Sequence, residues 1–160
     1  MKYILQWRGY LEPSELGVSL CAALKEAVVR CPGVDEEEGG FIVCRPRVRE
    51  EGEYQFHRIR NSHTGTPSAA GLYEPDRQEY GEKIIMSYNV GFQNYASFHT
   101  HPTNCPARPS ITDLTRLFNG QPVNYICSPS LRELKVYSMV GVDNDVTTWR
   151  SNGISLDSIL

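Results

Sequence analysis

The stretch from His99 to Asp113 limits the fold and chemistry of this chain more than any other. It holds two histidines separated by one residue, then Ser110 and Asp113 three positions apart. Side chains alternate faces along a β-strand, so His99 and His101 point to one side of an extended segment. Ser110 is a suitable helix cap, with Asp113 in the first turn. The pattern therefore predicts a strand, a loop and a helix that bring two imidazoles and a carboxylate together.

These three side chains have the chemistry of a hydrolytic zinc site. Imidazole nitrogens and carboxylate oxygens bind Zn²⁺, and catalytic sites combine three protein ligands with an open position for water. We therefore expect His99, His101 and Asp113 to hold one Zn²⁺ ion per chain. The alternatives are two unrelated strand histidines and an Asp113 that only stabilises a helix start.

The spacing of these residues resembles a known signature. Phe98-His99-Thr100-His101-Pro102, seven further residues and Ser110-x-x-Asp113 look like the motif of the JAMM (MPN+, JAB-type) zinc metallopeptidases, especially their stand-alone prokaryotic members. The resemblance implies a cytidine-deaminase-like JAMM/MPN architecture, an α+β fold whose curved, mostly antiparallel sheet is flanked by helices. It implies a single domain over residues 1–160. It also implies that Ser110 stabilises the oxyanion of a tetrahedral intermediate.

The resemblance further implies a glutamate upstream, near the start of a strand, that acts as the catalytic base. Three adjacent acids are available, Glu36, Glu37 and Glu38. In the family the glutamate commonly stands three residues before a glycine that precedes apolar strand residues, and Gly40 fits that frame. This assigns the base to Glu37, with Glu38 as runner-up. The alternative is that the acidic run is a solvated surface.

A peptidase function follows from the resemblance. JAMM enzymes typically cut after the C-terminal glycine of a ubiquitin-like protein, so the chain is expected to be a deubiquitinase-like zinc (iso)peptidase. Its partner would be a ubiquitin-like conjugate or precursor, and some prokaryotic members accompany conjugation systems in antiviral defence. The turn-rich segment 61–81 is predicted to be a loop insertion, and family deubiquitinases carry a substrate-contacting insertion in that interval. Two alternatives stay open: a non-catalytic MPN-type interaction module and a zinc hydrolase of small amides.

Composition and charge argue against several other classes of function. The 160 residues carry a formal net charge of −3 without a basic stripe, which disfavours nucleic acid as a partner. Gln6 and Arg8 interrupt the first apolar run, which predicts neither a secretion signal nor a membrane span. Five scattered cysteines without a C-x-x-C pair suit reduced thiols and predict a cytoplasmic protein. The sequence leaves the oligomeric state open.

Three further residues bear on the proposed site. Cys105 lies in the loop between His101 and Ser110. A thiolate is a strong zinc ligand, so Cys105 could compete for the open position and regulate the enzyme. The plainer interpretation is a loop cysteine near the site. His57 and His63 have no ligand-like partners in the sequence, and we expect both at the surface.

Hydrophobic periodicity predicts the elements around the motif. One helix is expected from Ser14, as its N-cap, to Pro32-Gly33, and a second from Ser110 to about Asn119-Gly120. Strands are predicted over residues 2–8, 39–44, 53–60, 83–88, 95–99, 123–127, 134–140 and 146–149.

Overall fold

A seven-stranded mixed sheet organises the computed structural model, which describes residues 2–160. The strands are β1 (Lys2–Leu11), β2 (Gly39–Arg45), β3 (Glu53–Ile59), β4 (Gln93–Thr100), β5 (Val123–Ser128), β6 (Glu133–Asp143) and β7 (Val146–Ser155). The helices are α1 (Pro13–Leu16), α2 (Val18–Arg30), α3 (Arg77–Asn89) and α4 (Leu156–Ile159), with a 3-10 turn at Pro67–Ala70 and a π-helical segment at Asp113–Leu117.

The strand order is β1-β7-β6-β5-β4-β2-β3. The β1/β7 and β4/β5 pairs are parallel, and the other neighbouring pairs in the described chain are antiparallel. Strands mixed with a few helices confirm the predicted α+β class. None of the helices between residues 2 and 160 combines the length and apolarity that crossing a bilayer requires.

Helical elements cover both faces of the sheet. On one face α2 and α4 pack against buried side chains that include Ile42, Phe98 and Tyr125. On the other face Leu114 of the π-helical segment packs in a second cluster with Ile126. Tyr125 and Ile126 are neighbours in β5 and are 1% and 0% exposed, so this strand buries both its faces. Burial of apolar surface on two sides is the main stabilising contribution to such a central strand.

β4 lies inside the sheet, between β2 and β5. The register places Gly39 at the start of β2 opposite His99 near the end of β4. A Cβ atom on Gly39 would lie 2.3 Å from the carbonyl oxygen of Phe98, so only glycine allows this close approach. The end of β4 therefore lies beside the acidic segment that precedes β2.

The predicted single N-terminal helix is in fact two helices. Gly17 separates α1 from α2 with a φ of 86°, a left-handed conformation that favours glycine. The N-cap of α1 is Glu12, so the predicted Ser14 cap is wrong. The first amides of α2 are satisfied from a distant loop, since Glu51 accepts hydrogen bonds from the Val18 and Ser19 amides. A capping group 32 residues away leaves no local signal in the sequence.

The strand predicted over Lys83–Tyr88 is wrong, because these residues belong to α3. Asp76 caps this helix by accepting a hydrogen bond from the Glu79 amide at 2.9 Å. The apolar run is typical of a buried strand, yet Ile85 and Met86 are 63% and 68% exposed. The segment is therefore helical despite its apolar run, and the helix cap at Asp76 was the better local signal of its conformation.

Residues 60–76 connect β3 to α3 and are called the β3–α3 segment below. The last residues of the predicted 61–81 loop lie in α3 instead. The segment folds back on itself, since the Ser62 amide donates to the carbonyl oxygen of Glu74 at 2.8 Å. Its Ala69 carbonyl accepts from the Glu37 amide at 2.7 Å, which attaches the segment to the acidic run. The remaining predicted strands are all present, several with longer bounds.

Candidate metal centre

β4 brings the two histidines to one place. His99 is fully buried and pairs with Gly39 of β2 and Ile126 of β5. The chain stays extended one residue further, because the His101 amide donates to the carbonyl oxygen of Cys127 at 2.8 Å. The two imidazole centroids lie 5.1 Å apart. The alternation of side chains along a strand predicted this arrangement.

Asp113 meets both imidazoles. Its Oδ2 atom lies 3.3 Å from Nε2 of His99 and 3.1 Å from Nε2 of His101. The same carboxylate accepts a hydrogen bond from the Ser110 amide, and the Asp113 amide donates to Oγ of Ser110, both at 3.0 Å. The helix start and the carboxylate at the histidines are therefore one structure, and the capping bonds orient the carboxylate.

The donor atoms fit a tetrahedral metal ion. Ligand atoms 2.0–2.1 Å from such an ion are about 3.3–3.4 Å apart, close to the separations between Asp113 and the two imidazoles. Both ring nitrogens of His99 are buried without a hydrogen-bond partner, since the approach of Nε2 to Asp113 does not meet hydrogen-bond geometry. An unpartnered buried polar group is costly, and an ion held beside Asp113 and His101 would give Nε2 of His99 a partner. These residues could therefore hold Zn²⁺.

Glu37 is the fourth side chain of the cluster. One ligand atom each from Glu37, His99 and His101 lie within 4.8 Å of one another. The Oε1 atom of Glu37 is 3.9 Å from Nε2 of His99, farther than Asp113 is from that atom. Glu37 could therefore face a group held by the other three residues or could itself be a ligand.

The three adjacent acids have different contacts. Glu38 is held by Arg58 at 3.0 Å and by the Gly33 amide at 3.3 Å. Glu36 accepts a hydrogen bond from the Gly65 amide at 3.0 Å. The carboxylate of Glu37 approaches His99 instead and is almost fully buried. The geometry therefore favours Glu37 over Glu38 as the acid of this site.

Burial and charge shift the acid–base equilibria of the cluster in opposite directions. Burial raises the pKa of Glu37 to about 7, although His99 and His101 oppose the rise. Burial also acts to raise the pKa of Asp113, but the charge of His99 and the hydrogen bond with His101 outweigh it and hold that pKa well below its usual range. Burial acts to lower the pKa of His101, yet its bond with Asp113 raises it. Two carboxyl groups in one site thus differ strongly in proton affinity.

Two residues of the site carry no signal in the sequence. Tyr73 is almost fully buried, and its ring lies parallel to the His99 imidazole with 6.0 Å between centroids. Asn61, also buried, donates from its side chain to the carbonyl oxygen of Glu37 at 3.0 Å. Both lie in the turn-rich β3–α3 segment, where no periodicity indicates which side chains turn inwards.

An open cavity of about 500 Å³ adjoins the cluster. Its lining includes Asp113, Tyr73 and the rings of Phe41 and Tyr80, whose centroids lie 4.3 Å apart with the planes tilted by 34°. Glu74 and Arg116 also line the cavity and form a salt bridge. This bridge joins the β3–α3 segment to the π-helical segment. Ser110 is exposed and lines a neighbouring cleft with Lys2, Tyr3 and Ile111.

The other predicted residues lie outside the cluster. Cys105 is a half-buried free cysteine in the loop between His101 and Ser110. Its carbonyl oxygen accepts a hydrogen bond from Ser128, which anchors the loop, and its regulatory role stays a prediction. His57 and His63 each keep part of their surface exposed. Both are partly buried, His57 contacting Ser87 and His63 contacting Glu74.

Comparison with known proteins identifies a similar fold but no family. No family model matches the chain, and no curated protein matches it. A solution structure of a protein from Desulfitobacterium hafniense aligns over 96% of this chain and 92% of its own length, with 19% identity and a TM-score of 0.50. A second solution structure, from Salinibacter ruber, covers 91% of this chain and 84% of its own, with 18% identity and a TM-score of 0.44. The first similarity concerns the fold alone.

Proposed function

We propose that this protein is a zinc-dependent peptidase of the JAMM type. One observation carries the proposal: the Asp113 carboxylate contacts Nε2 of both His99 and His101 at separations suited to tetrahedral ligands, inside a buried site. The H-x-H-P and S-x-x-D spacing supports the same assignment. All three side chains would hold the ion, and the adjoining cavity would admit the substrate.

The side chains around the ion supply the rest of the chemistry. A zinc ion in this site would polarise the scissile carbonyl and lower the pKa of water at its open position to about 7. Glu37 would accept a proton at its carboxylate and pass it to the leaving amine, a task suited to a group whose pKa burial raises to about 7. Ser110 accepts a hydrogen bond at Oγ from the Asp113 amide and can donate its own O–H to developing negative charge.

The substrate we propose is the C-terminal glycine tail of a ubiquitin-like protein, joined to a target or to a precursor extension. The cavity that Asp113 and the Glu74–Arg116 salt bridge line would receive this tail. Such a tail gains affinity from main-chain hydrogen bonds and needs no large side-chain pocket at glycine. The proposal includes a cytoplasmic location, which five free cysteines favour.

A substrate panel tests this function against its alternatives. Zinc-loaded protein is incubated with ubiquitin-like proteins fused after a Gly-Gly tail, with matched fusions in which the last glycine is alanine, and with small amides. Cleavage of the first set alone supports the peptidase. Cleavage of small amides alone would indicate the alternative hydrolase. Absence of all cleavage by a protein that holds zinc would contradict the proposal and favour an interaction module.

A further inference from the structure

Within residues 2–160, the hydrogen bonds of the Glu37 main chain go to a loop and not to a strand of the sheet. Glu37 precedes the first residue of β2 by two positions, and both of its main-chain hydrogen bonds go to the β3–α3 segment. The amide donates to the Ala69 carbonyl at 2.7 Å, and the carbonyl accepts from Nδ2 of Asn61 at 3.0 Å. The position of the Glu37 carboxylate therefore depends on a loop and not on the strand ladder.

Asn61 uses its whole side-chain amide to hold main-chain groups. Nδ2 donates to the carbonyl oxygens of Glu37 and Leu72 at 3.0 and 2.8 Å. Oδ1 accepts from the amides of His63 and Glu74 at 3.1 and 3.3 Å. Two donors facing carbonyls and an acceptor facing amides fix the orientation of the amide. The side chain is 4% exposed, so water cannot readily replace these bonds.

Two of these four bonds hold the main chain on either side of Tyr73. Leu72 and Glu74, its two chain neighbours, are both held by Asn61. The Tyr73 ring is parallel to the His99 imidazole, and its hydroxyl donates to the carbonyl oxygen of Ile59 at 2.9 Å. The side-chain amide of Asn61 thus joins the segment that contains Glu37 to the segment that contains Tyr73, whose ring packs against His99.

We propose that Asn61 is a positioning residue that fixes the Glu37 carboxylate and the Tyr73 ring against His99. The inference rests on the proposed peptidase function, in which Glu37 moves the proton. Asn61 touches neither substrate nor ion and acts only through these two residues. A substrate that contacts the β3–α3 segment would act on the position of Glu37 through the same bonds.

The Asn61→Asp variant tests this role because it keeps the shape and both acceptor bonds but removes both donor bonds. In the zinc-loaded protein we expect kcat to fall by about 10²-fold, since small displacements of a catalytic group are costly. KM should stay within about two-fold, and zinc content should stay near that of the wild type. Asn144→Asp, in the exposed β6–β7 turn, makes the same charge change as a control. Asn61→Ala is the second variant.

Residue-resolved amide exchange gives a readout independent of activity. In both Asn61 variants the Glu37 amide should exchange at least about ten-fold faster, while the His101 amide, bonded to Cys127, keeps its rate. Unchanged Glu37 exchange, or faster exchange with unchanged kcat, overturns the proposal. If the wild type cleaves nothing, the peptidase function fails, and the exchange rates alone decide whether Asn61 holds Glu37.

Amide exchange of the wild-type protein tests the proposal even if the Asn61 variants do not fold. Because Asn61 holds both segments, the hydrogen bonds of the Glu37 and Glu74 amides should open together. Their protection factors against hydrogen exchange should therefore lie within about ten-fold of each other. Independent opening, with protections that differ by about a thousand-fold or more, overturns the proposal.

Discussion

The carbonyl oxygen of Pro106 lies 2.8 Å from Nδ1 of His101. A carbonyl can only accept, so Nδ1 carries a proton, and Nε2 is the ring nitrogen that faces Asp113 and would be free to bind a metal ion. The loop that contains Pro106 is anchored by further hydrogen bonds, including one from the Tyr137 hydroxyl to the Ala107 carbonyl oxygen at 2.6 Å. The loop between the two halves of the motif therefore sets the tautomer that a metal ligand needs.

Zinc content should follow the ligand assignment. Protein purified without added metal is expected to hold about one zinc per chain, and the His99→Ala/His101→Ala and Asp113→Ala variants about none. Elemental analysis against protein concentration measures this. Glu37→Gln is the matched control and should keep its zinc, because Glu37 is not assigned as a ligand. Equal, negligible zinc in the wild type and the ligand variants after reloading would contradict the metal site.

Replacing Glu37 by glutamine should separate metal binding from turnover. The amide cannot accept the proton, so kcat on a cleaved substrate should fall by at least about 10²-fold with zinc retained. Glu38→Gln is the comparison, since that carboxylate is held by Arg58 and the Gly33 amide. A larger loss of turnover in Glu38→Gln than in Glu37→Gln would reverse the assignment of the base.

The stability of protein kept metal-free with a chelator should depend on pH through Glu37. Burial raises its pKa from 4.5 to about 7, so the folded state favours the protonated acid. This contribution is full below the unfolded pKa and is lost as pH rises through about 7. Relative to Glu37→Gln, the wild type should lose on the order of 3 kcal/mol of unfolding free energy between about pH 4 and pH 8. Urea denaturation at each pH measures the free energy of unfolding of the two proteins. If that free energy changed with pH in parallel in both, the predicted contribution of Glu37 would be contradicted.

Ser110→Ala should affect both stability and turnover. The variant loses the bond from the Asp113 amide to Oγ, which costs about 1 kcal/mol for a helix cap. It also loses the donor proposed for the oxyanion, and kcat should fall by about 10- to 10³-fold with zinc retained. Ser110→Thr keeps the hydroxyl, so its stability and its kcat should both stay close to those of the wild type. A kcat that is unchanged in Ser110→Ala would leave the serine with a capping role only.

Cys105→Ser tests whether this thiol regulates the metal site. The Cys105 main chain is anchored by Ser128, and its thiol is free and half-buried. We therefore expect the variant to match the wild type in zinc content and in activity with and without reductant. A redox-dependent activity in the wild type that disappears in the variant would instead establish Cys105 as a competing ligand.

Local patterns in the sequence predicted most of the strands and the centre of the site. The i, i+2 spacing of His99 and His101 and the capping pattern of Ser110 and Asp113 act over a few residues, so their geometry follows from backbone periodicity alone. The same reasoning failed over Lys83–Tyr88, where the apolar run favoured a strand and the Asp76 cap favoured a helix. It also failed at Ser14, because Glu12 is the N-cap of α1 and Glu51, in a separate loop, accepts hydrogen bonds from the first amides of α2.

The sequence by itself determined an α+β chain with a histidine pair, a capped aspartate and an acidic run near one another. The resemblance assigned the base to Glu37 from its spacing to Gly40, but only the tertiary structure shows that the Glu37 carboxylate approaches His99, because side-chain direction in the irregular segment before β2 follows no period. Its contacts with Asn61 and Ala69 span 24 and 32 residues of chain. Such long-range contacts, like the stacking of Tyr73 on His99, arise from folding of the whole chain and leave no local pattern.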